Sequence, residues 1–354
     1  MSGIRTLLNG TLAGLALTLS VGAMAYEQPF IPNPPKSPNE AQVQREENQP
    51  LNNAPVWRDV RSGDVHITQV RGVDTGVLIQ PGGETWRALR EGPISLYGGI
   101  LLIAVPILFG LFYAWKGPMR VHGQLTGKMI LRLTPWDRII HWSVAITWLI
   151  LAISGLVVLF GKHVLLPVLG YTLFSWLAVF AKNLHNFTGP LFLVSMVTMF
   201  FTYVSRNLPE AGDAKWLAGA GGMLSGKHMP SGFFNAGEKI VFWLGLTLFG
   251  LVVSLSGLVL NFPNFAQGRE IMQGAHLFHS ITGILFMGLM MGHIYLGTIG
   301  VPGAYHAMRH DGLVDEAWAK EHHENWYNDV KAGKAAHGAP ADSAGGRVPE
   351  TSRA

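Results

Sequence analysis

The chain has 354 residues, 49% of them hydrophobic and only 14% charged, with a net charge of +4. A soluble domain carries about 25% charged residues, so the deficit points to a membrane protein; the excess of Lys and Arg then reads as basic membrane-flanking loops, not a nucleic-acid surface. There is no cysteine, which excludes disulfides, thiolate-held iron–sulfur clusters and covalently attached c-type haem within this chain.

Residues 1–25 read as a secretory signal peptide. Arg5 gives a positive start, Leu7 to Val21 an apolar core, and Ala23-Met24-Ala25 a small-residue cleavage pattern. The competing reading is an uncleaved anchor helix. Residues 26–93 are polar and Pro/Asn/Gln-rich, and read as an extended periplasmic arm. Within it, the run from Val65 to Arg71 alternates like a short strand.

Five apolar stretches follow: Ile94–Trp115, Ile139–Phe160, Asn183–Val204, Ile240–Phe262 and Ile271–Val301. Each is long enough to cross a hydrocarbon core needing about 20 helical residues, and none carries Asp, Glu, Lys or Arg inside. Lys116, Arg120, Lys128, Arg132 and Arg138 follow the first stretch; Arg206, Lys215, Lys227 and Lys239 follow the third. The tail after Pro302 is also basic, whereas the opposite loops hold only Lys162, Lys182 and Arg269. The charge rule therefore places both basic loops and the C-terminus in the cytoplasm. Residues 163–181 are apolar too, but Pro167 and Gly170 weaken a continuous helix, and a span there would reverse every later helix. We read them as an interfacial or re-entrant periplasmic segment. The expected plan is an all-α membrane protein: signal 1–25, arm 26–93, an extra N-terminal transmembrane helix 94–115, cytoplasmic loop 116–138, a four-helix core 139–301, and cytoplasmic tail 302–354.

An ionisable residue within a span is costly and points to function. His141 falls near the cytoplasmic start of the second stretch and His185 near the periplasmic start of the third. His279 and His293 fall near the outer and inner ends of the fifth. They therefore sort by depth into His185 with His279 and His141 with His293, the arrangement needed for two imidazoles to grip a haem iron from opposite sides. The fourteen residues from His279 to His293 rise about 21 Å and leave the two within about 40° of one helix face. Two stacked haems would thus bridge much of a core about 30 Å thick. Gly155, Gly189, Gly257 and Gly283 lie near these positions and offer clearance for a flat porphyrin, although small-residue helix packing explains any one of them. Arg138 and Lys182, each three residues before a ligand candidate, are placed to pair with haem propionates or to anchor at the interface. His276 shares a face with His279 but sits about 100° from His293, and reads as interfacial. His163 falls in the outer segment. His306, His310, His322, His323 and His337 fall in the tail, where the His322-His323 pair lacks the further ligands a metal site needs.

Several motifs carry a family resemblance: Asp137-Arg138-Ile139-Ile140-His141-Trp142, Leu184-His185 with Gly189, Phe234-Asn235-Ala236-Gly237-Glu238-Lys239, Leu277-Phe278-His279 with Gly283, and Gly292-His293-Ile294-Tyr295. The tail run Trp318-Ala319-Lys320-Glu321-His322-His323-Glu324-Asn325-Trp326-Tyr327 is the most specific. Over residues 132–330 the chain resembles the gamma subunit, a di-haem cytochrome b, of membrane-bound respiratory formate dehydrogenase. The resemblance implies two haem b groups, an outer one on His185 and His279 and an inner one on His141 and His293. It implies a quinone site (menaquinone or ubiquinone) near Asn235, Gly237 and His293, where a donor and a proton route are needed; Asn235 is equally suited to capping a helix. It also implies two partners, an iron–sulfur beta subunit and a molybdenum or tungsten catalytic alpha subunit in the periplasm that oxidises formate. Electrons would run from them through both haems to quinone in the bacterial inner membrane. The signal, the arm and the first span depart from the family pattern. Two rival readings are the cytochrome b subunit of a hydrogenase or other molybdopterin oxidoreductase, and a proton-relay transporter. Intramembrane carboxylates and an obvious internal repeat are missing, which counts against the transporter.

Overall fold

A computed structural model of the chain describes residues 57–58, 61–63, 66–67, 77–79, 82–265, 267–309 and 311–335. The signal segment, most of the arm, His310 and His337 lie outside the described residues. Two compact units are formed, one by residues up to Gly92 with Pro263–Gly274, the other by Pro93–Phe262 with Ala275 onward. The first contains a short antiparallel pair, β1 (His66–Ile67) and β2 (Val77–Ile79); β1 falls inside the run expected to be a strand. All four histidines of interest belong to the second unit.

Among the described residues, five helices are long and apolar enough to cross a membrane: α1 (Ser95–Lys116), α2 (Pro135–Val164), α3 (Leu166–Tyr203), α4 (Ala236–Asn261) and α5 (Arg269–Tyr295). They fall on the five apolar stretches, and many of their large apolar side chains are exposed, as a lipid-facing surface requires. The chain is an integral membrane protein.

The starts of α2 and α4 are fixed by the same local chemistry. Thr134 and Asn235 each accept a hydrogen bond from the backbone N–H three residues on, and Asp137 and Glu238 each accept one back from the cap's N–H. These are capping boxes, and Pro135 in the first turn of α2 suits its fixed φ.

The third helix departs from expectation. Residues 163–181 are not a separate interfacial or re-entrant piece: α2 runs to Val164, and α3 begins at Leu166 and continues to Tyr203. The break comes at Gly170, whose φ of 72° interrupts the helix. Beyond it the residues from Tyr171 to Phe180 contain no Gly or Pro, so nothing stops the helix from continuing into the span. Its exposed Val168, Tyr171 and Trp176 show why the segment reads as apolar without being part of the core.

The extra helix α1 docks on α5 through small residues. A Cβ on Gly98 would lie 2.5 Å from Ile284, and one on Gly292 would lie 3.1 Å from Phe109. Close backbone approach of this kind drives helix association in lipid. Phe109 also stacks on Tyr295 with ring centroids 4.8 Å apart, so α1 braces the stretch of α5 that carries His293.

After α5 the chain returns beneath the bundle. Strand β3 (Met129–Leu131) pairs antiparallel with β4 (Leu313–Asp315), Ile130 facing Val314. Asp315 ties this pair down, accepting from Gly127 N at 2.7 Å and Ala317 N at 2.8 Å. Three short helices, α6 (Ala304–Met308), α7 (Glu316–His322) and α8 (Glu324–Lys331), complete a cap. At its centre Arg132 is 2% exposed. Its guanidinium lies 5.0 to 5.5 Å from the rings of Phe233, Trp326 and Trp318 and donates to the Phe233 carbonyl at 2.8 Å. Burial pushes its pKa down, and the three aromatic faces offset that desolvation. Half-buried Arg206 pairs with buried Asp137 at 2.6 Å and fastens the end of α3 to the start of α2.

Candidate functional site: two histidine pairs

The structure brings the four intramembrane histidines together in the expected pairs. The rings of His185 (α3) and His279 (α5) have centroids 5.9 Å apart and cross at 75°. Those of His141 (α2) and His293 (α5) are 6.2 Å apart and cross at 55°. We call the first the distal pair and the second the tail-side pair. Two imidazoles bound to one metal put their centroids about 6 Å apart, since each metal–nitrogen bond is about 2 Å and the ring centre lies about 1 Å further. Both separations match.

The distal rings are oriented by neighbours. Ser154 Oγ donates to the Ile150 carbonyl at 2.6 Å and lies 2.9 Å from His185 Nδ1, so it is placed to accept that N–H. His279 Nδ1 lies 2.9 Å from the Val253 carbonyl and 3.2 Å from Ser256 Oγ. A carbonyl only accepts, so Nδ1 carries the proton and Nε2 keeps its lone pair for a metal. A ligating histidine is held in just this way by its second nitrogen. The two serines were not singled out in the sequence; the signal that could have found them is a hydroxyl residue on the helices facing the ligands, next to a small residue.

The four glycines divide into two kinds. A Cβ on Gly155 would come 3.4 Å from His185 Cε1, and one on Gly257 would come 3.1 Å from His279 Cε1. These two stand directly against the histidine rings. Gly189 and Gly283 have nothing within 4 Å of where a Cβ would stand. Each lies one turn beyond a distal ligand on the same helix face, where a planar group would need space. The tail-side ligands have counterparts four residues on, Ala145 after His141 and Gly297 after His293, and Gly297 again meets nothing.

Between the pairs lies an aromatic layer. Phe286 is seven residues from both His279 and His293, and is buried. It contacts Trp148 at 5.9 Å, Phe192 at 6.3 Å and Phe249 at 6.4 Å. Trp148 and Phe192 each stand seven residues after a ligand, two turns along the same face. The layer closes the core between the two sites.

The tail-side pair opens on a large cavity of about 1700 Å³. Small-molecule sites are commonly about 300–1,000 Å³, so this one has room for more than one ligand. It is lined by His141, His293, Asn235, Gly237, Trp216 and His322, among others. His141 Nδ1 is buried and has no protein partner among the described residues. The backbone widens into π-helical turns at Val241–Phe249, and at Leu296–Gly300 just past His293; such turns recur at functional sites.

The other expected residues fall as follows. Asn235 caps α4, its side chain accepting from Glu238 N at 3.0 Å, and it also lines the cavity. Gly237 lies against Trp216, where a Cβ would come within 3.1 Å. Arg138 donates to the Leu133 carbonyl at 2.7 Å. Lys182 is exposed, close in sequence to His185. His163 ends α2. His323 is buried and its Nδ1 lies 3.0 Å from the Gly232 carbonyl; among the described residues no group of three or more His, Cys, Asp or Glu could hold a metal ion.

The comparisons with known proteins agree with this architecture. Residues 132–310 match the model of the prokaryotic cytochrome b561 family, and the chain belongs to that family. It is therefore a membrane cytochrome b, and the haem b of that family fits the paired imidazoles. Among its relatives is the cytochrome b556(Fdn) subunit of the nitrate-inducible formate dehydrogenase of Escherichia coli strain K12, 30% identical over 59% of this chain and 94% of the relative. The cytochrome b556(fdo) subunit of formate dehydrogenase from the same strain is 32% identical over 57% of this chain and 93% of its own length. A formate dehydrogenase cytochrome b556 subunit of Haemophilus influenzae is 28% identical over 57% and 83%.

Proposed function

We propose that this chain is the gamma subunit of a formate dehydrogenase complex. It would hold two haem b groups, one between His185 and His279 and one between His141 and His293, and pass electrons to quinone. The observation that carries this is the pair of matched centroid distances, 5.9 and 6.2 Å, in a chain similar over more than half its length to relatives named as formate dehydrogenase cytochromes. The haem iron, when bound, supplies a one-electron carrier at each pair.

The chain's own residues do the rest. Ser154, Ser256 and the Val253 carbonyl fix which nitrogen of each distal histidine faces the metal. Lys182 and Arg138 are proposed to meet propionates near the two ends of the bundle. The cavity beside His293 would take the quinone, either menaquinone or ubiquinone, with Asn235 and Gly237 in its wall. Basic loops at both Lys116–Arg138 and Arg206–Lys239 argue for the tail-side face in the cytoplasm of a bacterial inner-membrane protein, with the mature N-terminus outside. The distal pair would then receive electrons from a periplasmic iron–sulfur beta subunit fed by a molybdenum or tungsten alpha subunit, and the quinone would draw protons from the cytoplasm.

The test is a reduced-minus-oxidised spectrum of the purified membrane protein with haem counted per chain, followed by reduction with formate in the intact complex. Two b-type haems per chain, reduced by formate and reoxidised by quinone, are expected. One haem per chain would refute the pairing, and haems that formate leaves oxidised would refute the proposed partner.

A further inference from the structure

The tail motif that carries the resemblance most specifically is not used by the two metal pairs. Its residues instead line the cavity beside His293. His322, at the end of α7, contributes to the cavity wall, and its Nε2 is buried with no protein partner among the described residues. Its ring packs on Trp318 at 4.9 Å, and its carbonyl accepts from Ser231 Oγ at 2.7 Å. The ring is thus held in place while one nitrogen stays uncommitted.

Two histidine–carboxylate pairs flank it. His122 Nδ1 lies 2.5 Å from Glu321 Oε1, with His122 79% exposed at its side chain. His228 Nε2 lies 2.8 Å from Glu324 Oε2 and is also exposed. All four of these residues line the same cavity. Each pair therefore has one end in water and stands next to the segment that carries His322.

We propose that His322 relays protons from the aqueous face into the tail-side cavity, fed through His122–Glu321 and His228–Glu324. This rests on the proposed reduction of quinone there. Reducing a quinone to its quinol adds two electrons and two protons. The electrons would be supplied by a haem held between His141 and His293. Each proton enters from water onto an exposed histidine, passes to His322 and then to a quinone oxygen, and the ring returns to neutral for the next. A neutral imidazole suits this because it can take a proton on one nitrogen and release one from the other.

The electrostatics support it. The charged and titratable groups around the ring are Glu321, Arg132, His228 and His122, with Lys320 and Glu324 in the same wall. Burial pushes the His322 pKa down to about 4, so the ring rests neutral at pH 7, releases an acquired proton readily and makes uptake the harder half of the relay. His323, adjacent in sequence, is wholly buried and bonded to the Gly232 carbonyl, and serves the cap instead.

The test uses the intact complex purified with this chain. Haem content, haem reduction by formate, and reduction of menadione and decyl-ubiquinone are measured for wild type, His322→Gln and His322→Ala. Both variants should keep two haems and normal haem reduction, while quinol formation at pH 7 falls by about tenfold or more. Added imidazole should restore His322→Ala, and the pH profile of quinol formation should change in His322→Gln. Equal quinol rates in wild type and variants overturn the relay. A loss accompanied by loss of haem, or one that imidazole leaves untouched, overturns it too, because either identifies a packing role. A wild-type complex that reduces its haems but neither quinone defeats the proposed quinone reduction on which the relay rests.

Discussion

In the distal pair, a ring nitrogen of His185 meets Ser154 and one of His279 meets the Val253 carbonyl and Ser256, and a glycine on a neighbouring helix stands against each ring. In the tail-side pair His141 Nδ1 has no such partner among the described residues, and the rings border a cavity of about 1700 Å³. The pairs have nearly the same ring separation. What differs is the surroundings, and under the proposed function the difference would separate two tasks. A site that only passes electrons gains from rigid, second-nitrogen support. A site that must also admit and release a small molecule needs open space and groups that can move protons.

The largest test of that division removes one ligand. His185→Ala should empty the distal site and leave the tail-side site filled, halving haem per chain and stopping electron flow from any donor at the distal end. Haem counted on the purified variant checks it. Loss of both haems would mean that the two sites are not separately built, and that the aromatic layer around Phe286 does not isolate them.

Acid should loosen the cap next. Burial holds His322 near 4 and His323 well below its ordinary value. An unfolded histidine titrates near 6.5. Because the folded values are the lower ones, the stability these neutral rings contribute is complete above about pH 6.5 and is lost as pH falls toward 4. The cap formed by α7 and α8 should therefore loosen in that window. Hydrogen exchange across residues 316–331, compared with 150–190, measures it. Unchanged exchange across 316–331 as the pH falls through that window would refute it.

Much of this was legible in the sequence because lipid imposes simple rules. Five uncharged apolar stretches became five helices, and depth alone paired His185 with His279 and His141 with His293. What the sequence hid are contacts between helices. Gly155 and Gly257 look identical to Gly189 and Gly283 in the chain, yet the first two face rings and the second two face open space. Residues 163–181 misled because Gly170 marks a real break, while the helix resumes on its far side. The packing of Arg132 among Phe233, Trp318 and Trp326 joins residues more than 90 positions apart, and no local pattern announces it.

The distal supports can be graded against each other. Ser154→Ala removes the hydroxyl that lies 2.9 Å from His185 Nδ1, and should weaken distal haem retention by about 10- to 100-fold, the usual cost of losing a metal ligand's outer partner. Ser256→Ala should cost less, because His279 Nδ1 keeps the Val253 carbonyl at 2.9 Å. Haem retention under a competing apo-protein reads both. If Ser256→Ala proved the worse, the carbonyl would not be the main support of His279.

At the tail-side pair the smallest effect is also the most discriminating. Asn235 holds the Glu238 N–H with its side-chain oxygen and lines the cavity. Asn235→Ala should lose the cap, about 1 kcal/mol, and with it any contact to quinone. Asn235→Ser keeps an oxygen that can cap α4 but gives up the amide N–H donors. If the residue only caps, Asn235→Ser should match wild type in both thermal stability and the apparent KM for quinone. If its amide also meets the quinone, stability should return in Asn235→Ser while KM stays raised. That split would show one side chain starting a helix and facing the ligand at once, a double use that neither distal histidine's surroundings contain.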